Sequence, residues 1–319
     1  MSARLTKRLA AAAPTFLGIT FVAFAIVRAA PGEALAQGDA LLRSGTLAQM
    51  HEYRRLMGLD DPFLLGYARW LGHFLRGDLG SSFRDGRPVL ALLAEALPVT
   101  LLLSVPALIL GYVLAIPIGI LSAARPHGRA DRAFSWLVFF LYSLPLQWVA
   151  LLLVVAASGS GLPIQGLRRE GVHTSGDLLA HLALPVLCLT YGSLAVVSRY
   201  LRSSMLEEMG QDYVRTARAK GLSEAAVVLR HALPNSLLSL VTLFGLTLPA
   251  LASGTVIVER VFGLPGMGKL TFDAVLGRDV PVLMGTVALG GVLTMLGVLV
   301  SDLVYAALDP RISLPEKTR

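Results

Sequence analysis

Residues 199–235 read RYLRSSMLEEMGQDYVRTARAKGLSEAAVVLRHALPN, a charged stretch set between two apolar runs. Leu206, Met209, Tyr213 and Ala217 recur at i, i+3, i+7 and i+11. That spacing predicts one amphipathic helix, with Glu207, Glu208, Gln211, Arg215 and Arg218 mostly on its other faces. Arg218 and Lys220 suit the negative end of the helix dipole, and Gly221 suits the left-handed residue that closes a helix. Ser223 is then the cap of a second helix, with Glu224 in its first turn, running to about Leu233 before Pro234. Two readings of the segment stand: an amphipathic helix lying on a membrane surface, or a knob that offers its exposed face to a soluble partner. A DNA-reading helix-turn-helix shares the order of elements, but it folds around a third helix of its own, whereas this segment is tied at both ends to apolar chain.

Working outward, those apolar runs are two of six. The chain is 55% hydrophobic and 15% charged, against about 25% charged in soluble domains, so it belongs in a membrane. A helix crossing the hydrocarbon core needs about 20 mostly apolar residues. Six stretches qualify: Leu9 to Val27, Leu97 to Ser122, Phe134 to Ala157, Leu179 to Val197, Ser236 to Val258 and Val282 to Ala307. The fourth, with His181 and Pro185, is the weakest. Lys7 and Arg8 precede the first run, which at this length exceeds the core of a cleaved signal peptide and reads as a retained helix. The N-terminus is then cytoplasmic, and six crossings return the C-terminus to the same side. Arg125, Arg129 and Arg132 in the short loop Ala123 to Ala133, and Arg311, Lys317 and Arg319 in the tail, agree with an excess of positive charge inside. The fold class expected is therefore an all-α integral membrane protein. Residues 1–29 form the N-terminal end and first span, 30–96 a segment outside the membrane, 97–308 a five-helix core carrying the loop 199–235, and 309–319 a cytoplasmic tail.

Other chemistries find little support. Cys188 is the single cysteine, and His51, His73, His127, His173, His181 and His231 do not fall at zinc-ligand spacing with it or with each other. No bound metal is expected. The net charge of +7 follows from basic flanks of membrane spans, so no nucleic-acid partner is inferred from it.

Gly263 to Thr271 reads GLPGMGKLT and imitates a phosphate-binding loop, G-x-x-x-x-G-K-[ST]. The β-branched run Gly254 to Val261 before it looks like the strand that should precede such a loop, and a helix over Leu270 to Leu276 is expected after it. The six-span topology places this segment outside, away from any ATP pool, and Leu270 stands where the magnesium-binding hydroxyl belongs. The reading adopted is a glycine- and proline-rich turn before a short amphipathic or re-entrant segment.

The outer segment has its own helical signals. Thr46 and Gln49 match a capping box before Leu47 to Met57, closed by Gly58. Asp61 and Pro62 suit the N-cap and first turn of a second helix. In it Leu64, Tyr67, Leu71, Phe74 and Leu75, with Trp70 near them, cluster on one face until Gly77 and Asp78. That face rests either on the membrane interface or against the outer ends of the spans.

Beyond periodicity, the run Asp212-Tyr213-Val214-Arg215-Thr216-Ala217-Arg218-Ala219-Lys220-Gly221-Leu222-Ser223, followed by His231-Ala232-Leu233-Pro234-Asn235, resembles the EAA loop of binding-protein-dependent ABC importers. Gly221, Leu233 and Pro234 match that motif directly, and Ala217 matches its second alanine. Arg215, Thr216 and His231 replace its glutamate, first alanine and isoleucine, as in the dipeptide, oligopeptide and nickel branch. Met57-Gly58-Leu59-Asp60-Asp61-Pro62, Gly77-Asp78-Leu79-Gly80, Val261-Phe262-Gly263-Leu264-Pro265-Gly266-Met267-Gly268 and Asp302 to Arg311 also resemble permeases of that branch.

The resemblance implies an ABC importer permease fold, with residues 205–222 including a coupling helix that sits in a cleft of a cytoplasmic ATPase. Asp212, Tyr213, Arg215, Thr216, Ala217, Arg218, Lys220, Gly221, Leu222, His231 and Pro234 are the coupling residues it implies. The implied partners are a second, homologous permease, two cytoplasmic ATPase subunits, an extracytoplasmic substrate-binding protein and membrane lipid. The chain itself would be a non-catalytic transport subunit of a prokaryotic inner membrane and would bind no cofactor, since ATP and magnesium would lie on the ATPases. Peptides, nickel complexes and related small cargo stay open as substrates.

For the translocation path, Tyr142, Ser143 and Gln147 stand out beside Pro145, which frees a backbone carbonyl. Ordinary hydrogen bonding between helices explains them equally well. Asp302, near the inner end of the last span, is the one charge deep in an apolar run, and an interfacial partner such as an arginine is the simpler account of it. A self-sufficient secondary transporter or channel is the alternative class. It would usually carry intramembrane ionisable groups or related broken helices in two halves, and neither is evident.

Overall fold

In hydrocarbon every amide and carbonyl must find its partner within the chain, and a helix does this without a neighbour. The computed structural model describes residues 2–29, 61–169, 171–172, 174–247, 251 and 255–308, with the side chains of 2–12, 246 and 301–308 left aside. Among these residues the chain is helix and turn, with one isolated β-bridge between Ser81 and Pro88. The helices are α1 (Ser2–Ala29), α2 (Phe63–Leu75), α3 (Val89–Ala124), α4 (Arg129–Ser143), α5 (Leu146–Ala157), α6 (Ser175–Met209), α7 (Asp212–Ala219), α8 (Glu224–Val227), α9 (Leu233–Thr247), α10 (Val256–Val261), α11 (Met267–Leu276) and α12 (Val280–Leu308).

Four of them, or their continuations, are long and apolar enough to cross a membrane: α3, α6, the run Glu224–Gly245 and Val280–Val300 of α12. The pair α4 and α5 counts as a fifth, bent by 98°. The first expected span is helical along its whole length within α1, although its described apolar part, Ala13–Ala29, is shorter. The expected helix Leu47 to Met57 and the C-terminal tail lie outside the described residues, as does the side chain of Asp302.

Two compact units divide the chain. One comprises residues 1–100, 252–256 and 265–296. Its core is aromatic: Phe16 and Phe24 of α1, Trp70 of α2, Phe83, Met284 and Ala288. The Tyr67 hydroxyl lies 2.9 Å from Thr20 Oγ1, and the ring of Phe74 lies 5.3 Å from that of Phe16. Tyr67, Leu71 and Phe74 thus pack on α1, while Leu64 and Leu75, expected on the same face, are exposed. The buried carboxylate of Asp279 caps α12 and also accepts from the Ser82 hydroxyl and the Phe83 amide, pinning the turn before α3. Glycine at 285 is required by contact, because a methyl group there would sit 2.6 Å from Val89 Cγ1.

The phosphate-loop look-alike belongs partly to this unit. The β-branched run that looks like a preceding strand is helix α10 over Val256–Val261, so packing overrides the β-branched preference of Val256, Ile257, Val258 and Val261. Helix α11 begins at Met267, whose amide donates to Thr100 Oγ1 at 2.8 Å. A methyl on Gly268 would lie 2.6 Å from the Val256 amide nitrogen, which gives this glycine a packing reason.

The other unit comprises residues 101–251, 257–264 and 297–319. Its core joins α3, α6 and α9 through Ala115, Ala123, Val197, Leu201, Met205, Val228, Ala232 and Leu240. Small residues set the distance between α3 and α6: a methyl on Gly111 would fall 2.0 Å from Ser193 Oγ, and one on Gly119 would fall 2.9 Å from the Leu201 side chain. The expected third span is broken at Leu144-Pro145. Proline offers no amide and pushes the residue before it out of the helical region, and Leu144 sits at φ −85°, ψ 123°. The Leu144 carbonyl then accepts from the Tyr191 hydroxyl at 3.0 Å. On the far side of α5, the Gly166 amide donates to the Phe262 carbonyl at 2.9 Å, which anchors the loop after this bent pair to the turn at Gly263.

Candidate functional site

The charged segment after the fourth span forms an ordered platform. At about 1.5 Å per residue, the 35 residues of α6 extend roughly 50 Å, well beyond an apolar core of about 30 Å. The helix therefore continues past Val197, carrying Arg199 to Met209 out with it. Periodicity predicts that it runs on through Ala217. It ends instead at Met209, where the Gly210 and Gln211 amides bond only three residues back, to the Glu207 and Glu208 carbonyls. The separate helix α7 then starts at Asp212. Apolar spacing survives this break because it records which side is buried, not whether the axis bends.

Helix α7 is held from below by three contacts. Val214 and Ala217, the second of them among the expected coupling residues, are buried against Val227 of α8. The Tyr213 hydroxyl donates to the Glu208 carboxylate, accepts from Asn235 Nδ2 at 2.8 Å and lies 3.4 Å from the His231 carbonyl. One phenol thus ties α6, α7 and α9 together. Burial, then the Glu208 carboxylate, raises its pKa above the ordinary tyrosine value. At the far end, Arg218 places Nε 3.1 Å and Nη2 2.7 Å from the two oxygens of Glu224, a bidentate pair that holds that carboxyl below the usual glutamate range.

The turn between α7 and α8 follows the expected chemistry closely. Gly221 has φ +79°. Its amide donates to the Arg218 carbonyl at 2.9 Å, and the Leu222 amide reaches the Ala217 carbonyl at 3.4 Å, the paired bonds of a Schellman closure. Ser223 accepts from the Ala226 amide as the cap of α8. This second helix does not stop before Pro234. A π-helical turn over Val228–Ala232 widens the backbone, and α9 continues straight through the proline. The wider turn absorbs the amide that Pro234 lacks. His231 sits half-buried on this turn, and Pro234 is exposed on α9.

What α7 leaves to solvent is a mixed, mainly basic face: Asp212 paired with Arg215 at 3.2 Å, Thr216, Arg218, Lys220, Gly221 and Leu222. The Thr216 hydroxyl is turned back onto the Asp212 carbonyl at 2.9 Å. This face is braced by the chain behind it and offers charge in fixed positions. Among the described residues no cluster of three or more His, Cys, Asp or Glu could hold a metal ion.

The proposed path residues lie elsewhere, at the bend of α4 and α5. Tyr142, Ser143 and Gln147 are exposed there; the Ser143 hydroxyl bonds its own helix at the Phe139 carbonyl, and the Arg199 guanidinium lies 5.6 Å above the Tyr142 ring. Sequence spacing brought these three together but missed Tyr191 and Arg199, which lie on α6. It also missed Glu208 and Asn235 at the Tyr213 hydroxyl, and the pair formed by Asp131 and Arg202, whose oxygens and nitrogens meet at 2.6 and 2.8 Å. Asp131 lies in the first turn of α4, where its carboxylate is buried against Arg202. A buried aspartate ahead of an aromatic span was the available signal for that pair, but its partner is far away in sequence.

Comparison with known proteins agrees with this architecture. Residues 115–314 match the family described as the binding-protein-dependent transport system inner membrane component. The chain is 38% identical to the oligopeptide transport system permease protein AppB of Bacillus subtilis, covering 98% of this chain and 99% of that one. It is 33% identical to the dipeptide transport system permease protein DppB of Escherichia coli K12, over 97% and 98% of the two chains. Among solved structures, an inward-facing MetNI methionine ABC transporter aligns with a TM-score of 0.57 at 21% identity, covering 69% of this chain and 97% of the other, a likeness of fold. A family match over most of the chain and relatives aligned from end to end lead to one conclusion: this chain belongs to the family of multi-pass inner-membrane permease subunits of binding-protein-dependent ABC transport systems.

Proposed function

We propose that this permease is one half of the translocation path of an ATP-driven peptide importer. A second, homologous permease completes the path, two cytoplasmic ATPase subunits bind and hydrolyse ATP with magnesium, and an extracytoplasmic binding protein delivers the cargo. Both termini are cytoplasmic in this reading. Peptides are favoured as cargo because the relatives reported above are named as oligopeptide and dipeptide permeases.

The observation that carries the coupling role is the braced face of α7 closed by Gly221. Asp212, Arg215, Thr216, Arg218, Lys220 and Leu222 meet the ATPase. Val214, Ala217 and Tyr213 keep that face in register with α6, while His231 and Pro234 support it through the turn into α9. Closure of the ATPase dimer then does work on a two-state membrane element through contacts that differ between the states. Tyr142, Ser143 and Gln147 at the bend face the path.

The test is reconstitution. The chain purified with its co-purifying subunits into liposomes should take up peptide only when ATP and the binding protein are both present. Peptide uptake by the isolated chain without ATP would establish the secondary-transporter reading instead.

A further inference from the structure

Helix α6 grips α4 at both of its ends, one of which is the bend. At the start of α4, the Asp131 carboxylate takes two bonds from Arg202, and its remaining capacity is met by the His127 amide at 2.8 Å and the Ser135 hydroxyl at 3.4 Å. The Asp131 side chain is 4% exposed and that of Arg202 28%. At the other end, the Tyr191 hydroxyl holds the carbonyl that the break at Pro145 sets free, and Arg199 covers the Tyr142 ring. Tyr191, Arg199 and Arg202 stand at i, i+8 and i+11, one side of α6.

These contacts differ in strength. The bend itself lacks an amide at Pro145, so it is the weakest point of the span. The Asp131–Arg202 pair is bidentate and largely desolvated on the carboxylate side, so parting it would strand a buried charge. Helix α4 is therefore tied to α6 by a strong side-chain pair, whereas its junction with α5 is the two-residue break at Leu144 and Pro145. And α6 is the helix whose far end leads, through Gly210, into the docking face of α7.

We propose that the Asp131–Arg202 pair is the linkage that makes α4 and the bend follow α6, so that displacement received at α7 reaches Tyr142, Ser143 and Gln147. The two residues act as positioning residues and touch neither ATPase nor cargo. The transport half of this inference rests on the coupling role proposed above for α7; the mechanical half does not.

Spin labels at Ser203→Cys on α6 and Phe140→Cys on α4, both exposed sites, in a Cys188→Ala background, read the linkage directly by pulsed electron resonance on the full chain in nanodiscs. The chain with Asp131 intact should give one narrow distance distribution, and Asp131→Asn should broaden it. In the assembled complex Asp131→Asn should keep its ATPase subunits and their hydrolysis but lose transport per ATP about tenfold, the size expected of a coupling contact. Arg202→Lys keeps the charge without the fork and should give a smaller loss, about threefold. It also carries the test if Asp131→Asn fails to fold. Unaltered distance widths or unaltered transport per ATP in the folded variants would overturn the linkage. If the unaltered chain recruits no ATPase, the coupling role of α7 fails, while the width comparison in the isolated chain still decides the mechanical half.

Discussion

Arg218 and Glu224 clasp each other across the Gly221 turn, with both guanidinium-to-carboxylate distances at 3.1 Å or less. The pair joins the last turn of α7 to the first turn of α8, so the exposed face of α7 is presented at a fixed angle. Its geometry depends on the left-handed conformation of Gly221 at the centre of the turn.

Gly221→Val should uncouple ATP hydrolysis from transport. Nothing lies within 4 Å of the added methyl position, so the penalty is in the backbone alone, about 1–2 kcal/mol for a left-handed branched residue. Gly221→Asn, which tolerates that region, should retain most of the coupling. The ratio of peptide imported to ATP consumed, measured for both variants, checks this; equal ratios in the Val variant and the unaltered chain would count against the turn.

Acidification should loosen the same turn. The Glu224 carboxyl is held below its ordinary value of 4.5 by Arg218. A group whose folded pKa is depressed contributes stability above its unfolded pKa, and that contribution is lost as pH falls through the folded value. Amide exchange over residues 218–227 should therefore quicken below pH 4.5 relative to the rest of the chain, and Glu224→Gln should abolish the pH dependence. The pair is largely exposed, so the effect is local and leaves global unfolding unchanged.

The look-alike loop should be indifferent to nucleotide. Lys269→Ala should leave the nucleotide affinity of the assembled complex unaltered in an equilibrium binding assay. Gly268→Ala, by contrast, should lower the thermal stability of the chain in detergent by about 1–3 kcal/mol, because the methyl meets backbone at Val256. A loss of ATP binding in the lysine variant would reinstate the phosphate-binding reading.

Close packing of α3 on α6 gives a fourth expectation. Gly111→Ala drives a methyl into Ser193 Oγ, an overpacking of about 1–3 kcal/mol. Adding Ser193→Ala should return part of the lost melting temperature, since the closest colliding atom is then gone. An undiminished melting temperature in the single variant would mean that the two helices pack further apart than described.

The parts of this structure that could be read in the sequence are those that depend on neighbouring residues. The left-handed Gly221, the cap at Ser223 and the apolar runs of α3, α6 and α12 each follow from local chemistry. The break at Gly210 did not, because helical spacing continues unbroken from Leu206 to Ala217 on either side of it. The π turn before Pro234 was likewise hidden: proline announces a missing amide, but whether the helix stops or widens is decided by the packing of Val228 and Ala232 in the core. Asp131 with Arg202, and Tyr213 with Glu208 and Asn235, are pairings between separate helices. Nothing in their spacing encodes them, since they form only once α6 lies beside α4 and α9.

The most direct measurement is a photo-crosslink from the exposed face of α7. A photoreactive amino acid at Thr216, with the same group at the exposed Val275 of α11 as control, would be activated in membranes of the native host and the products identified by mass spectrometry. The account predicts that position 216 captures an ABC ATPase subunit and position 275 does not. If position 216 captures only lipid while position 275 captures the ATPase, α7 is a surface-lying helix and the coupling role assigned to it is wrong.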